Sequence, residues 1–334
     1  MNDAKEVLEQ TLDPNGKPSR LLVQWEPFEF VMNEPLMKFC RGNRQRGKIS
    51  RDEWGTMIMF PEDAPGAMPH VTADERVLHD VCDWDKVKIP DLDKPAMEPG
   101  AWDEARALQK EIRDRGNLSI VHFGTGIFER AHFLLGMEDT LCAPLEEPEA
   151  AHEYFQMIAD WRFHYVELLV EYLHPDAINP HDDWGSKLST FYDPETWREF
   201  LKPHYMRIYK YLKDNGVLII HHADSYCEPL VPDMIDMGID IWQGVLNTNN
   251  IAKLQKESEG KIVLMGGIDS IIDRVDQTED EIRAETRKVC EQFGPGGHFI
   301  PSLTSGLKNA GIYPLTDKYI DDEIRAYNHD VYGI

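Results

Sequence analysis

The chain repeats one pattern, in which a short apolar run is followed at once by ionisable side chains. Val217 to Ile220 runs directly into His221, His222 and Asp224. A buried parallel strand reads as an unbroken aliphatic run, and the chemistry of α/β barrels lies at the carboxyl ends of such strands. The same pattern recurs in the segments Asp176 to Asp183, Lys261 to Asp269 and His298 to Ser302. We therefore expect one site built from several strand ends.

Helical patterns separate these runs. Asp193 is suited to an N-cap, with Pro194 at the first helical position, and the apolar stripe from Trp197 to Leu212 predicts one helix that Gly216 ends. Thr278 and Glu281 form a capping box. Further helices are predicted at Ala101–Gly116, Glu149–Leu173 and Glu279–Phe293, and further strands at Leu118–Phe123 and Ile239–Trp242.

Alternating strands and helices predict an α/β fold, and their regularity favours a single (β/α)8 TIM barrel over an open sheet. We place the first strand near Leu21–Trp25, and the eighth must lie in the poorly periodic amino-terminal third. Residues 1–110 form an irregular amino-terminal segment with the first strand or strands, and residues 111–334 form the remainder of the same domain. Phe123-Gly-Thr-Gly126 lacks the third glycine of a dinucleotide-binding turn.

Composition excludes several classes of function. The 334 residues include 35 Lys and Arg against 60 Asp and Glu, so the net charge is −25, which repels nucleic acid and anionic membrane surfaces. The five cysteines are scattered and never form a Cys-x-x-Cys pair, which is typical of reduced thiols. We found no signal peptide and no apolar run long enough to span a bilayer, and so expect a cytoplasmic protein.

The polar strand ends supply the candidate site residues. His222 and Asp224 lie two apart on an extended segment and point into the same barrel mouth, whereas His221 faces the helix layer. Such a pair binds a divalent metal, orients a general base or satisfies loop backbone. Asp182 and Asp183 are candidates for catalysis, for metal binding or for binding a cationic or hydroxylated substrate, although capping of the next turn alone explains one of them. The candidate substrate-binding residues are Trp25, Phe28, Phe123, Trp184, Asp269 and His298.

These segments resemble the uroporphyrinogen decarboxylase superfamily, in particular its corrinoid-dependent methyltransferase branch, from about Ile120 onward. His222-Ala-Asp224-Ser225 before Pro229 is similar to the branch's His-x-Cys-Gly or His-x-Asp-Gly element. Gly266-Gly-Ile-Asp269 is similar to its Gly-Gly-Ile-Asp element, and Asp182-Asp-Trp-Gly185 to its Asp-Asp-x-Gly block.

The resemblance implies a barrel that binds zinc, activates a methyl donor and passes the methyl group to cob(I)alamin on a separate corrinoid protein. This chain has Asp224 where thiol-transferring members have a cysteine, and Ser302 lies near the position of their second cysteine. The implied ligands are therefore His222 and Asp224, with Glu26 or Asp182 as a third. Such oxygen and nitrogen ligands suit activation of an ether oxygen. A methoxylated aromatic compound is the expected donor.

Two alternatives remain. The decarboxylase itself binds a polycarboxylated tetrapyrrole through an arginine-rich amino-terminal segment, and the flanking pattern of Arg41, Arg44 and Arg46 does not match that motif. The second alternative belongs to a different class of function, in which the chain is a non-catalytic binding partner of a corrinoid protein. A homodimer is the expected oligomer because cyclic dimers are the commonest soluble assemblies.

Overall fold

The computed structural model describes residues 3–42, 44–62, 67–274, 276–306 and 314–334. Its strands, in chain order, are β1 (Phe28–Phe30), β2 (Lys48–Arg51), β3 (Met57–Phe60), β4 (Met68–Pro69), β5 (Leu118–Phe123), β6 (Ala177–Pro180), β7 (Leu218–His222), β8 (Ile241–Val245), β9 (Val263–Ile268) and β10 (Phe299–Leu303).

The α-helices are α1 (Asp3–Leu12), α2 (Pro35–Cys40), α3 (Asp93–Ala96), α4 (Asp103–Asp114), α5 (Ile127–Leu135), α6 (Met137–Glu146), α7 (Pro148–Tyr172), α8 (Pro194–Phe200), α9 (Lys202–Asp214), α10 (Val231–Asp236), α11 (Ile251–Ser258), α12 (Glu279–Phe293) and α13 (Pro314–Tyr332). Short 3₁₀ helices lie at Val81–Lys86, Glu228–Leu230, Ser270–Ile272 and Gly294–Gly296.

Seven of these strands form one curled parallel sheet in the order β1-β5-β6-β7-β8-β9-β10. Alternate side chains of each strand point into the barrel, where Ile120, Ile220 and Met265 belong to one buried apolar cluster. Val7 and Leu8 of α1 join the same cluster and close the amino-terminal end of the barrel. The other face of each strand packs on the helices, which confirms the predicted (β/α)8 class.

The barrel closes between β1 and β10 through side chains, because no backbone ladder joins these strands among the described residues. The Leu303 amide donates to Oε1 of Gln24 at 3.1 Å, and Nε1 of Trp25 donates to the Gly306 carbonyl at 3.0 Å. The predicted first strand at Leu21–Trp25 was therefore wrong. This segment is irregular and fills the eighth position, and the first strand begins three residues later.

The predicted helix from Asp193 to Leu212 is two helices, α8 and α9, which meet at Leu201. Pro203 causes this break, since a proline inside a helix removes a hydrogen bond and clashes with the preceding turn. The Asp193 cap and the Thr278–Glu281 capping box are both confirmed. β5 has the predicted bounds.

The irregular amino-terminal segment carries a second, antiparallel sheet of strands β2, β3 and β4. A buried ion pair of 2.7 Å between Asp52 and Arg130 joins this segment to α5, which follows the carboxyl end of β5. The small sheet consequently lies at the mouth of the barrel, on the side where the strands end.

We predict that Gln24→Ala lowers the free energy of unfolding by about 1–3 kcal/mol, because it leaves the buried Leu303 amide without its acceptor. Urea denaturation of purified variants measures this change. Gln156→Ala is the control, since Gln156 lies on the exposed face of α7 and its loss should cost less than about 0.5 kcal/mol. Equal losses in both variants would contradict closure through Gln24.

Candidate functional site at the barrel mouth

A cavity of about 220 Å³ lies between the small sheet and the carboxyl ends of β5 and β6. Its polar end is formed by His122, Glu129 and His181, and its aromatic wall by Phe133, Trp161 and Tyr165. The amino-terminal segment adds Met37, Cys40, Arg41, Arg44, Asp52, Ile58, Ala67, Met68 and Pro69. The cavity thus joins ionisable groups to an apolar wall.

Beside this polar end, His181, Asp183 and His222 place their nitrogen and oxygen donor atoms within 4.8 Å of one another. Nε2 of His181 lies 3.9 Å from the Asp183 carboxylate, and the His181 and His222 rings meet edge to face at 4.4 Å. Among the described residues, this is the cluster whose geometry suits a metal ion.

Strand geometry explains why these side chains meet. His222 is the last residue of β7, and His181 follows β6 directly, with a backbone bridge between the two residues. Successive side chains of an extended chain point to opposite sides, so His181 and Asp183 point to one side, toward His222, while Asp182 faces the helices.

The Asp182 carboxylate joins the end of β6 to the helix layer. Its carboxylate accepts hydrogen bonds from the amides of Phe128 and Glu129, which begin α5, and from Trp184 Nε1 and the Tyr205 hydroxyl. The residue is fully buried. Of the two neighbouring carboxylates predicted as catalytic, Asp182 therefore has a structural environment, and Asp183 is the one that lies with the two histidines.

The charges around His181 are strongly coupled. Burial disfavours its charged form, but the carboxylates of Glu129 and Asp183 outweigh burial and raise the pKa of His181 to about 10. Burial raises the pKa of Glu129 to about 7. Burial also lowers the pKa of His222 to about 4, so this imidazole is neutral at pH 7 and its ring carries a free lone pair.

Asp224 lies close to the cluster but contributes to it through its backbone. Its amide donates to Oδ1 of Asp183 at 3.0 Å, which orients that carboxylate. Burial and the Asp183 charge raise the pKa of the Asp224 carboxyl to about 7. The predicted pair of His222 and Asp224 thus lies at the mouth. The carboxylate that joins the two histidines, however, is that of Asp183 and not that of Asp224.

Two predicted residues, Glu26 and His298, lie outside the cluster, and a third, Asp269, lies at the mouth with a capping role. Glu26 precedes β1 and forms a 2.7 Å ion pair with Arg20, and its carboxylate is not part of the cluster of His181, Asp183 and His222. His298 precedes β10 and contacts the Thr11 carbonyl at the opposite end of the barrel. Asp269 does follow β9, but its carboxylate caps the short helix at Ser270–Ile272.

The predicted aromatic residues are core side chains and do not line the cavity. Trp25 and Phe28 pack inside the barrel, while Phe123 and Trp184 lie in the helix layer, where Arg162 covers the Phe123 ring at 3.6 Å. Each is no more than 2% exposed, which leaves no surface for a ligand.

Glu129 and the aromatic wall were missed because their signal is weak in the sequence. Gly124 and Gly126 follow β5, and the turn they form carries the chain into α5, which brings Glu129 back beside His181. A Cβ on Gly126 would lie 2.0 Å from the Asp182 carboxyl carbon, so only glycine allows this approach. The two glycines were the available clue.

These features define a barrel protein whose polar site lies at the carboxyl ends of its strands. Residues 52–311 match the model of the uroporphyrinogen decarboxylase (URO-D) family, and the chain belongs to that family.

Curated relatives include the uroporphyrinogen decarboxylase of Chlorobium phaeobacteroides, 29% identical over 152 residues, which are 44% of this chain and 40% of that protein. The enzyme of the same name from Thioalkalivibrio sulfidiphilus is 24% identical over 194 residues, 54% of this chain and 49% of that protein. The match spans less than half the length of either relative.

Among solved structures, a methyltransferase from Methanosarcina mazei aligns over 91% of this chain and 88% of its own, with a TM-score of 0.62 and 16% identity. This likeness shows a shared fold. In the described ranges, no helix combines the length and the apolar character that a membrane span requires.

We predict that Asp182→Asn lowers the free energy of unfolding by about 2–3 kcal/mol, because an amide group would meet at least one donor where the carboxylate only accepts. The matched variant Asp183→Asn should cost less than about 1 kcal/mol, since the amide oxygen still accepts from Asp224. Thermal and urea unfolding measure both changes. The reverse order would show that Asp183 is the structural carboxylate.

Proposed function

We propose that this chain is a methyltransferase that moves the methyl group of a methoxylated aromatic compound to the cobalt of a corrinoid protein. The methyl–oxygen bond breaks with its electron pair staying on oxygen, and the phenolate takes up a proton. The electron pair of cob(I)alamin forms the new cobalt–carbon bond, so cobalt is formally oxidised from Co(I) to Co(III). A cytoplasmic location and a homodimer remain expectations.

The observation that carries this proposal is the pairing of an aromatic wall with nitrogen and oxygen donors in one small cavity. Phe133, Trp161 and Tyr165 offer the apolar and edge-to-face contacts that an aromatic ring prefers. A cavity of about 220 Å³ suits one substituted ring, whereas a tetrapyrrole with eight carboxylates is several times larger.

The zinc ion that the family resemblance implies fits the donors present. Two imidazoles and one carboxylate are ligands that zinc accepts, and one of them, His181, lines the polar end of the cavity. Bound there, zinc would act as a Lewis acid on the ether oxygen. The chain's own part is to orient the ring against the aromatic wall and to limit water through the small sheet.

Arg41 and Arg44 indicate that the methyl donor carries a negative charge. Both line the cavity, and no described carboxylate lies within ion-pair distance of either guanidinium, in a chain of net charge −25. A ligand with a carboxylate would supply the missing partner. The preferred donor is therefore a methoxylated aromatic acid.

The same arginines favour the second candidate, a decarboxylase-like lyase that acts on a carboxylated substrate. This reading requires a substrate smaller than the tetrapyrrole of the named relatives, because of the cavity volume. A third reading, a non-catalytic partner of a corrinoid protein, predicts binding of that protein without turnover.

The first experiment mixes the purified chain with cob(I)alamin, free or on a corrinoid protein, and a panel of methoxybenzoates, methoxybenzenes and methylamines. We expect conversion to methylcobalamin, seen in the visible absorbance, together with one equivalent of the demethylated phenol. Release of carbon dioxide without methylation would support the lyase. Binding of a competent corrinoid protein with neither product would support the non-catalytic reading.

A second experiment tests the arginines. The double variant Arg41→Gln with Arg44→Gln should raise the half-saturating concentration of a methoxybenzoate by at least about tenfold, the equivalent of one charge-assisted hydrogen bond. The value for the neutral methoxybenzene should not change. Arg46→Gln is the matched control, because Arg46 lies on the same segment but outside the cavity lining. Equal effects on both donors would contradict carboxylate binding.

A further inference from the structure

We infer that His181, Asp183 and His222 together bind one divalent transition-metal ion, and that Asp224 and Glu26 do not bind it. The inference rests on the proposed function for its catalytic meaning, but its evidence is the arrangement of donors. It replaces the ligand set expected from the His-x-Asp sequence pattern with one drawn from two neighbouring strand ends.

The spacing of the donors supports one shared ion. Tetrahedral zinc holds its nitrogen and oxygen ligands at about 2.0–2.1 Å, which places ligand atoms roughly 3.3 Å from one another. The three donor atoms already lie within 4.8 Å of one another without an ion, and His181 and Asp183 are separated by 3.9 Å. Small side-chain rotations at two partly exposed residues, His181 and Asp183, would complete the contraction.

A hydrogen-bond chain prepares His222 as a ligand. The Leu303 carbonyl accepts from Nε2 of Gln243, which turns Oε1 of the same amide toward Nδ1 of His222. Because this oxygen only accepts, Nδ1 carries the proton and Nε2 keeps its lone pair. An outer partner that sets the tautomer of a histidine is typical of metal sites.

The His181 imidazole faces two carboxylates at distances that leave room for an ion. Its Nε2 lies 3.7 Å from Glu129 and 3.9 Å from Asp183, both longer than a hydrogen bond. An imidazole held between two carboxylates at these distances leaves room for an ion to join it to Asp183.

The chemistry of the donor set selects the metal. Two imidazole nitrogens and one carboxylate suit zinc and its neighbours in the first transition row, whereas magnesium prefers oxygen ligands alone. Three protein ligands are the number found in catalytic zinc sites, which keep one position for substrate. Zinc is redox-inert, which fits a methyl transfer in which only cobalt changes oxidation state.

The test measures metal binding directly. The chelator-treated chain is reloaded with Zn²⁺, and the bound metal is counted by mass spectrometry and titrated against a chromophoric chelator. Co²⁺ loading adds a ligand-field spectrum that reports nitrogen and oxygen coordination, and Mg²⁺ serves as the oxygen-preferring control. We expect one Zn²⁺ per chain, competition from Co²⁺ and none from Mg²⁺.

Variants then assign the ligands. His181→Ala, Asp183→Ala and His222→Ala should each lose stoichiometric zinc, while Asp224→Asn and Glu26→Gln should retain it. Gln243→Leu should keep the site but weaken zinc binding by about 10–100-fold, as expected for an outer partner. Circular dichroism verifies folding, and His181→Gln and Asp183→Asn replace any alanine variant that fails to fold.

The outcomes separate the two proposals. Absence of zinc and cobalt binding by the wild-type chain would overturn the metal site, as would loss of zinc in Asp224→Asn with retention in His181→Ala. Zinc bound as described, without methyl transfer in the cobalamin assay, would uphold the metal site and reject the proposed function.

Discussion

The Asp182 carboxylate is the contact on which the barrel mouth depends. It accepts from the first amides of α5, from Trp184 and from Tyr205, and so ties the end of β6 to two helices. Because neighbouring side chains of an extended segment point in opposite directions, fixing Asp182 outward fixes His181 and Asp183 inward. The same contact places Glu129, whose amide is one of the donors, beside His181. This one buried carboxylate therefore positions His181, Asp183 and Glu129.

The amino-terminal segment closes the barrel and forms one side of the cavity. Its residues before β1 close the sheet through Gln24 and Trp25, and its small sheet forms one side of the cavity. The Asp52–Arg130 pair, buried on both sides, fastens this sheet to α5. Removing either partner would leave an uncompensated buried charge, which is far more costly than losing an exposed pair. The cavity is thus shaped by a segment with little regular structure of its own.

Membership in the URO-D family accounts for the fold but leaves the chemistry to the site. The curated relatives match over less than half of their length, and the methyltransferase structure shares the architecture at 16% identity. What separates this chain from the thiol-transferring members of the branch it resembles is local. An aspartate stands at the cysteine position of the His-x-Cys element, and a second histidine and aspartate, which follow the neighbouring strand β6, face the histidine that remains.

By itself the sequence determined the barrel class, most strand and helix positions, and the importance of the ends of β6 and β7. These follow from local causes: aliphatic runs form buried strands, and successive side chains of a strand point to opposite faces. It could not determine which of Asp182 and Asp183 joins the two histidines, since both patterns are locally equivalent until Trp184 and Tyr205 pack against one of them.

Only the tertiary structure decided the rest. Glu129, the aromatic wall and the arginines come from segments far apart in the chain, and no local spacing connects them. Glu26 was expected from the family resemblance and His298 from the strand that it adjoins. Both residues precede their strands, and the direction of a strand in the barrel places its starting end away from the mouth. Trp25, Phe28, Phe123 and Trp184 were assigned to a pocket because aromatic residues suit both cores and ligands. Close packing, which depends on every neighbouring element, made them core.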